Sequence, residues 1–205
     1  MLNNTDHIPW LQLLVPVGTA SQYNTLLQAG IFIECQSATT LGELFASLPG
    51  FSSQYILERI ETIFLNGLPV DDLGTGIYGP SPVIAVSGAM PGLAGAIFRK
   101  NSFHAALRTS GSNSLPDGLQ RAKKVMVRLK LFNVIASEKG GDILKNGCVI
   151  GSESLLRFIN YRPQMFSHSL SMRCDDKPIS YGEVDSLLHG SETVFLRIQE
   201  GDDSI

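Results

Sequence analysis

The chain has 205 residues, of which 43% are hydrophobic and 17% charged, a composition that builds a core and excludes a disordered chain. Its formal charge of −3 lacks the basic footprint of a nucleic-acid binder, so no nucleic-acid partner is expected. Three cysteines (Cys35, Cys148, Cys174) without a CxxC pair argue against a disulfide scaffold or structural zinc and for a reducing compartment.

Residues 11–17 (LQLLVPV) read as a first strand and 18–30 as a turn with some polar structure. Residues 31–36 alternate Ile31, Ile33 and Cys35 against Phe32, Glu34 and Gln36, as a strand does. Thr40, Leu41, Gly42 and Glu43 form a capping box, because the Thr hydroxyl can take the amide three residues on while Glu reaches back. Leu41, Leu44, Phe45 and Leu48 then share a helical face, and Pro49-Gly50 stops it. Ser53 is expected to cap a second short helix over 54–60.

Residues 61–65 are β-rich and run into Asn66-Gly67, the preferred pair for a type I′ turn, whose two central residues need positive φ. Leu68, Pro69 and Val70 lead back. Pro69 has no amide proton, so this strand should be short or at an edge. Residues 71–82 are turn chemistry, and 83–86 form an apolar run of the length expected of a buried strand.

The candidate binding or interface residues follow at once: Ser87, Gly88, Met90, Pro91, Gly92 and Leu93. Glycines after a strand can let backbone amides cradle a phosphate. Here Met90 occupies the position where a dinucleotide loop needs its central glycine, and no Gly-Lys-Ser/Thr occurs in the chain. Close backbone packing is the competing role for these glycines. No cofactor is implied.

Residues 99–109 are ambiguous between strand and helix, and 110–118 (SGSNSLPDG) have linker composition. The boundaries drawn are therefore 1–109 for a first domain, 110–119 for a linker and 120–205 for a second domain. Past the linker, Val125, Val127, Leu129 and Leu131 alternate with Met126, Arg128, Lys130 and Phe132, so Lys124, Arg128 and Lys130 belong to the solvated face of a strand. Gly140-Gly141 and Asn146-Gly147 read as turns and 143–150 as the return strand. Ser152 is expected to cap a helix over 153–160. Residues 170–174 read as a strand, Asp175-Asp176 as a turn and 177–179 as its return. Ser180 and Glu183 make a second capping box, and 193–199 (TVFLRIQ) alternate as the closing strand.

The two halves give the same order of elements. The best local match sets LNGLPVDD against CDDKPISY, with Pro69 facing Pro178 at an offset of 109 (178 − 69). The order ββ-helix-ββ, with TLGEL entering the helix, LNGLPVD at the hairpin and a closing strand running into glycines, resembles the ubiquitin-like β-grasp proteins. The first half is similar to the small sulfur carriers of thiamin and molybdopterin synthesis. The expected fold class is α+β, two tandem β-grasp domains with mixed sheets each crossed by one main helix. Those carriers act through a terminal Gly-Gly that becomes a thiocarboxylate. Gly140-Gly141 is internal here, so that chemistry is not expected of the uncut chain.

Paired Asp71-Asp72 and Asp175-Asp176 read as turn residues, the four histidines have no ligand spacing, and no GxSxG elbow occurs. No catalytic or metal-binding residue is assigned. The N-terminus lacks a basic n-region and no apolar run reaches spanning length, so a cytoplasmic protein without a membrane partner is expected. The functional expectation is a non-catalytic module that binds a protein partner or a second copy of itself. The alternative is a small-molecule or sulfur-transfer enzyme with a site at the inter-domain cleft and the loop from Ser87 to Gly95.

Overall fold

The computed structural model of the chain describes residues 7–100, 103 and 124–201. In order these form β1 (Trp10–Pro16), a 3-10 segment (Ala20–Thr25), α1 (Leu26–Ala29), β2 (Ile31–Gln36), α2 (Leu41–Ala46), α3 (Ser53–Arg59), β3 (Thr62–Leu65), β4 (Leu68–Pro69) and β5 (Val83–Ser87). There follow α4 (Gly92–Phe98), β6 (Lys124–Leu131), α5 (Asn133–Asn146), β7 (Cys148–Gly151), α6 (Ser152–Tyr161), α7 (Pro163–Ser167), β8 (Ser171–Cys174), β9 (Lys177–Pro178), α8 (Tyr181–His189) and β10 (Thr193–Gly201). The fold is mixed α+β, with parallel and antiparallel strand pairs. No helix among the described residues is long and apolar enough to cross a membrane.

The described residues divide into two compact units, one within Leu27–Asp142 and the other drawing on Met1–Leu26 and Ile143–Ile205. In the first unit the strand order is β4-β3-β5-β6-β2. The central pair β5–β6 is parallel, and the pairs β3–β4, β3–β5 and β2–β6 are antiparallel. Alternation sets the faces. Val125, Val127, Leu129 and Leu131 point to the core, where α2 delivers Leu41, Leu44 and Phe45. Each such side chain taken from water stabilises the fold by roughly 1.5–3 kcal/mol before chain entropy is charged against it.

The capping box at Thr40 is present. Its hydroxyl accepts from Glu43 N (3.2 Å), and the Glu43 carboxylate accepts from Thr40 N (2.8 Å). Segment 71–82 completes the cap, because Leu41 N donates to Thr75 O and Gly42 N to Leu73 O. The first amides of α2, which no helical carbonyl can reach, are thereby satisfied. Ile77, fully buried, fastens the segment through backbone bonds to Ala38 and Thr39.

The second unit runs β9-β8-β1-β10-β7, with β1–β10 parallel and the other neighbours antiparallel. Its core holds Leu11, Leu13 and Val15 of β1, Val194, Leu196 and Ile198 of β10, and Leu155, Phe166 and Leu188 from helices. Both edge hairpins have the expected form. Asn66 and Gly67 have φ of 51° and 81°, and Asp175 and Asp176 have 47° and 64°. Pro69 faces Phe64, and Pro178 faces Arg173 at the same offset of 109 (173 − 64). The matched sequences therefore occupy corresponding strand positions.

Several elements differ from the sequence reading. The strand expected at 11–17 pairs with β10 and β8, and that expected at 125–132 pairs with β2 and β5. Strand partners are non-local, and alternation within one strand carries no information about them. The linker placed at 110–119 lies outside the described residues.

Residues 133–146 are helical, and the return strand begins only at Cys148. Ile135, Ala136, Ile143 and Leu144 bury one helical stripe, and this packing outweighs the breaker signal of Gly140-Gly141. Residues 20–29 are helical around buried Tyr23, Leu26 and Leu27. The cap of α3 is Ser52, whose hydroxyl accepts from Tyr55 N at 3.1 Å, and α6 is capped at Gly151.

The two faces of β6 give a direct check. Leu129→Ala empties a site with no exposure and should cost about 3 kcal/mol, whereas Met126→Ala, on the outward face, should stay within about 0.5 kcal/mol. Urea unfolding of both variants measures the difference.

Candidate functional site

The segment singled out in the sequence is a turn fastened at both ends. Ser87 closes β5 and is buried, and its hydroxyl accepts from Asn133 Nδ2 at 3.0 Å. Its carbonyl accepts from Glu61 N at 3.1 Å. Gly88 is pressed against α5, where a Cβ would collide with the Val134 side chain. Ala89, Pro91, Gly92 and Leu93 are exposed and Met90 is half-buried. Gly92 has φ +76° and nothing within 4 Å of a built Cβ.

The glycine-rich run expected as a loop is helical from Gly92 to Phe98, with Pro91 at its N-cap and no side-chain cap. Gly95 lies so close to the Met90 carbonyl that a Cβ there would clash. Gly88 and Gly95 thus serve close backbone approach. At the far end Arg99 pairs with Glu61, Lys100 N donates to Glu61 O, and Phe98 packs against Phe64 with ring centroids 5.3 Å apart and the rings tilted by 57°. Glu61, Phe64 and Asn133 are the partners the sequence could not name, since each lies on another element. What remains outside these fastenings is the apex, where Leu93 is 71% exposed.

Two of the paired aspartates hold backbone amides. Asp72 Oδ1 accepts from Gly74 N at 2.8 Å, and Asp175 Oδ1 accepts from Trp10 N at 3.0 Å. Burial pushes the Cys148 thiol up to about 12, and burial likewise raises Cys35 and Cys174, so all three favour the unreactive thiol. Among the described residues no group of three or more His, Cys, Asp or Glu is placed to hold a metal ion. Burial lowers the Lys100 amine, which Asp71 and Glu61 push back up, but its Nζ is enclosed.

A cleft of about 250 Å³ in the second unit is lined by Pro16, Thr19, Gln22, Tyr23, Gln164, Met165 and His168. It is smaller than the roughly 300–1,000 Å³ of common ligand sites. Two of its hydroxyls are already engaged. Tyr23 donates to Met165 O at 2.6 Å and Thr19 to Pro16 O at 2.7 Å. Burial holds the Tyr23 phenol at about 12.

Beside the turn, α3 is tied to α5. Tyr55 donates to Glu138 Oε2 at 2.9 Å, Arg59 forks onto the same carboxylate, and Lys139 Nζ lies 4.2 Å from the Tyr55 ring centroid. The hydrogen bond from Arg59, then that from Tyr55, holds the Glu138 carboxyl below its usual range.

Two outcomes are expected of these contacts. Gly95→Ala should destabilise by about 1–3 kcal/mol through the Met90 clash, whereas Gly92→Ala should cost about 1–2 kcal/mol from its backbone alone. Calorimetry of the two variants ranks them. Because the folded-state pKa of Glu138 is depressed, its contribution is present above the ordinary carboxylate pKa and lost as pH falls through the depressed value. The stability gap between the wild type and Glu138→Gln should therefore be larger near pH 7 than at about pH 3, as urea titrations would show. An equal gap at both would contradict the ion pair. Comparison of the chain with protein-family models, with curated proteins and with solved structures finds no match in any of the three.

Proposed function

We propose that the chain is a non-catalytic protein-interaction module built from two β-grasp-like units, each completed by a strand distant in sequence. The fold reading is supported by corresponding edge hairpins, a parallel central pair in each unit, and helices between the matching strands. The edges at β4 and β9 are two residues long and carry Pro69 and Pro178, which blunts them against strand addition. Docking on side chains is the route left at those two edges.

The observation that carries the interaction reading is Leu93. A large apolar side chain stands 71% exposed at the apex of a turn whose flanks are fixed by Ser87–Asn133 and Arg99–Glu61. A rigid apolar knob binds at low entropic cost, because little ordering remains to be done on association. With Met90 and Pro91 beside it, the apex fits a hydrophobic contact on a protein partner, a second copy of the chain included.

Sedimentation as a function of concentration tests this reading. The wild type should associate, and Leu93→Lys or Met90→Lys should abolish association while leaving the melting temperature within a few degrees. A wild type that stays monomeric at high concentration, and that has no partner whose binding is lost in Leu93→Lys, contradicts it.

A further inference from the structure

The outward face of β6 and β2 in the first unit carries a run of cations on a chain whose formal charge is negative. On β6 it presents Lys124, Met126, Arg128 and Lys130, the residues that alternate with the buried Val125, Val127, Leu129 and Leu131. Opposite them on β2 stand Gln36, Glu34 and Phe32, facing Lys124, Met126 and Arg128 in register. Three cations thus share this strip with one carboxylate, on a chain whose formal charge is −3.

The cations are not equivalent. Arg128 is committed to the fold. Its guanidinium donates to Ala29 O at 3.0 and 2.7 Å and lies over the Phe32 ring at 5.8 Å. Lys124 meets Glu34 at 2.6 Å, with its side chain still 74% exposed. Lys130 is in no ion pair among the described residues, and its stem runs beside Gly30. Met126, 43% exposed, supplies apolar surface between the charges.

We propose that this strip receives an extended acidic peptide segment of a partner protein. Every second residue of an extended chain advances by about 6.6–6.8 Å, so a facing row that is acidic, apolar and acidic at positions i, i+2 and i+6 falls opposite Lys124, Met126 and Lys130 along β6. The apolar residue of that same row meets Met126, and the residues between point away from the sheet. A single-stranded nucleic acid carries the same charge, but it gains affinity by stacking bases on open aromatic planes. Here Phe32 lies under Arg128 and Phe64 against Phe98, and neither ring is among the exposed large hydrophobic residues. This inference rests on the reading of the chain as an interaction module and adds the chemistry of the partner.

The test titrates the full chain with a fluorescent peptide of about ten residues in which every second position reads glutamate, valine, glutamate, glutamate, with serine between. A lysine–valine peptide and an oligothymidylate serve as comparisons, with backbone amide shifts as the map. The acidic peptide should bind with an affinity that falls as salt rises, and should shift amides of β6 and β2. Lys124→Glu with Lys130→Glu should weaken it at least about tenfold. Lys124→Gln with Lys130→Gln removes the charges more gently and keeps the test readable if the reversal unfolds. No binding, equal binding of the lysine peptide, binding of the oligonucleotide alone, or shifts elsewhere would overturn the proposal. If the strip fails while Leu93-dependent association persists, the interaction reading stands. If both fail, it falls with the strip.

Discussion

The parallel strand pair at the centre of each unit is the interaction on which the rest of the structure depends. In one unit β5 lies beside β6, and in the other β1 lies beside β10 over seven paired positions. Both pairs join strands far apart in sequence, so each requires a loop to close before any hydrogen bond rewards it. Once formed, the pair presents a row of buried aliphatic side chains from each strand, and the helices pack on that row. The hairpins β3–β4 and β8–β9 then attach to the outer strand of the pair, and β2 or β7 to the other.

What was legible in the sequence was local. Asn66-Gly67 announces its turn because few residue pairs tolerate positive φ twice, and the Thr40/Glu43 and Ser180/Glu183 boxes announce helix starts because both partners lie within one turn. The offset of 109 between the hairpins survives into their strand registers. What was not legible was partnership. Residues 11–17 read as a strand from their own apolar composition, yet nothing in LQLLVPV states that its neighbours are β10 and β8. Helix α5 was hidden for a different reason: Gly140-Gly141 reads as a turn, and only the buried stripe of Ile135, Ala136, Ile143 and Leu144 outweighs it.

The candidate turn shows the same division. Its glycines were visible, but their purpose was not, because Val134 and the Met90 carbonyl occupy the space that side chains would need. The sequence placed Leu93 in a group of interest and left its exposure open. The alternation of Lys124, Arg128 and Lys130 was visible too. The structure separates a cation spent on Ala29 O from one paired with Glu34 and one outside any described ion pair.

The placement of β1 carries the account, and a cysteine pair measures it most directly. Gln12 of β1 lies opposite Arg173 of β8 in antiparallel register, with both side chains on the outward face. Directly opposed residues of such a pair have Cα atoms about 4.5–5.5 Å apart, within reach of a disulfide. With Cys174→Ser to remove the neighbouring thiol, Gln12→Cys and Arg173→Cys should cross-link under mild oxidation in the folded chain, and should fail to do so when the same oxidation is carried out on the chain unfolded in denaturant. A folded variant whose two thiols stay free would place β1 elsewhere, and the two-unit account would fail with it.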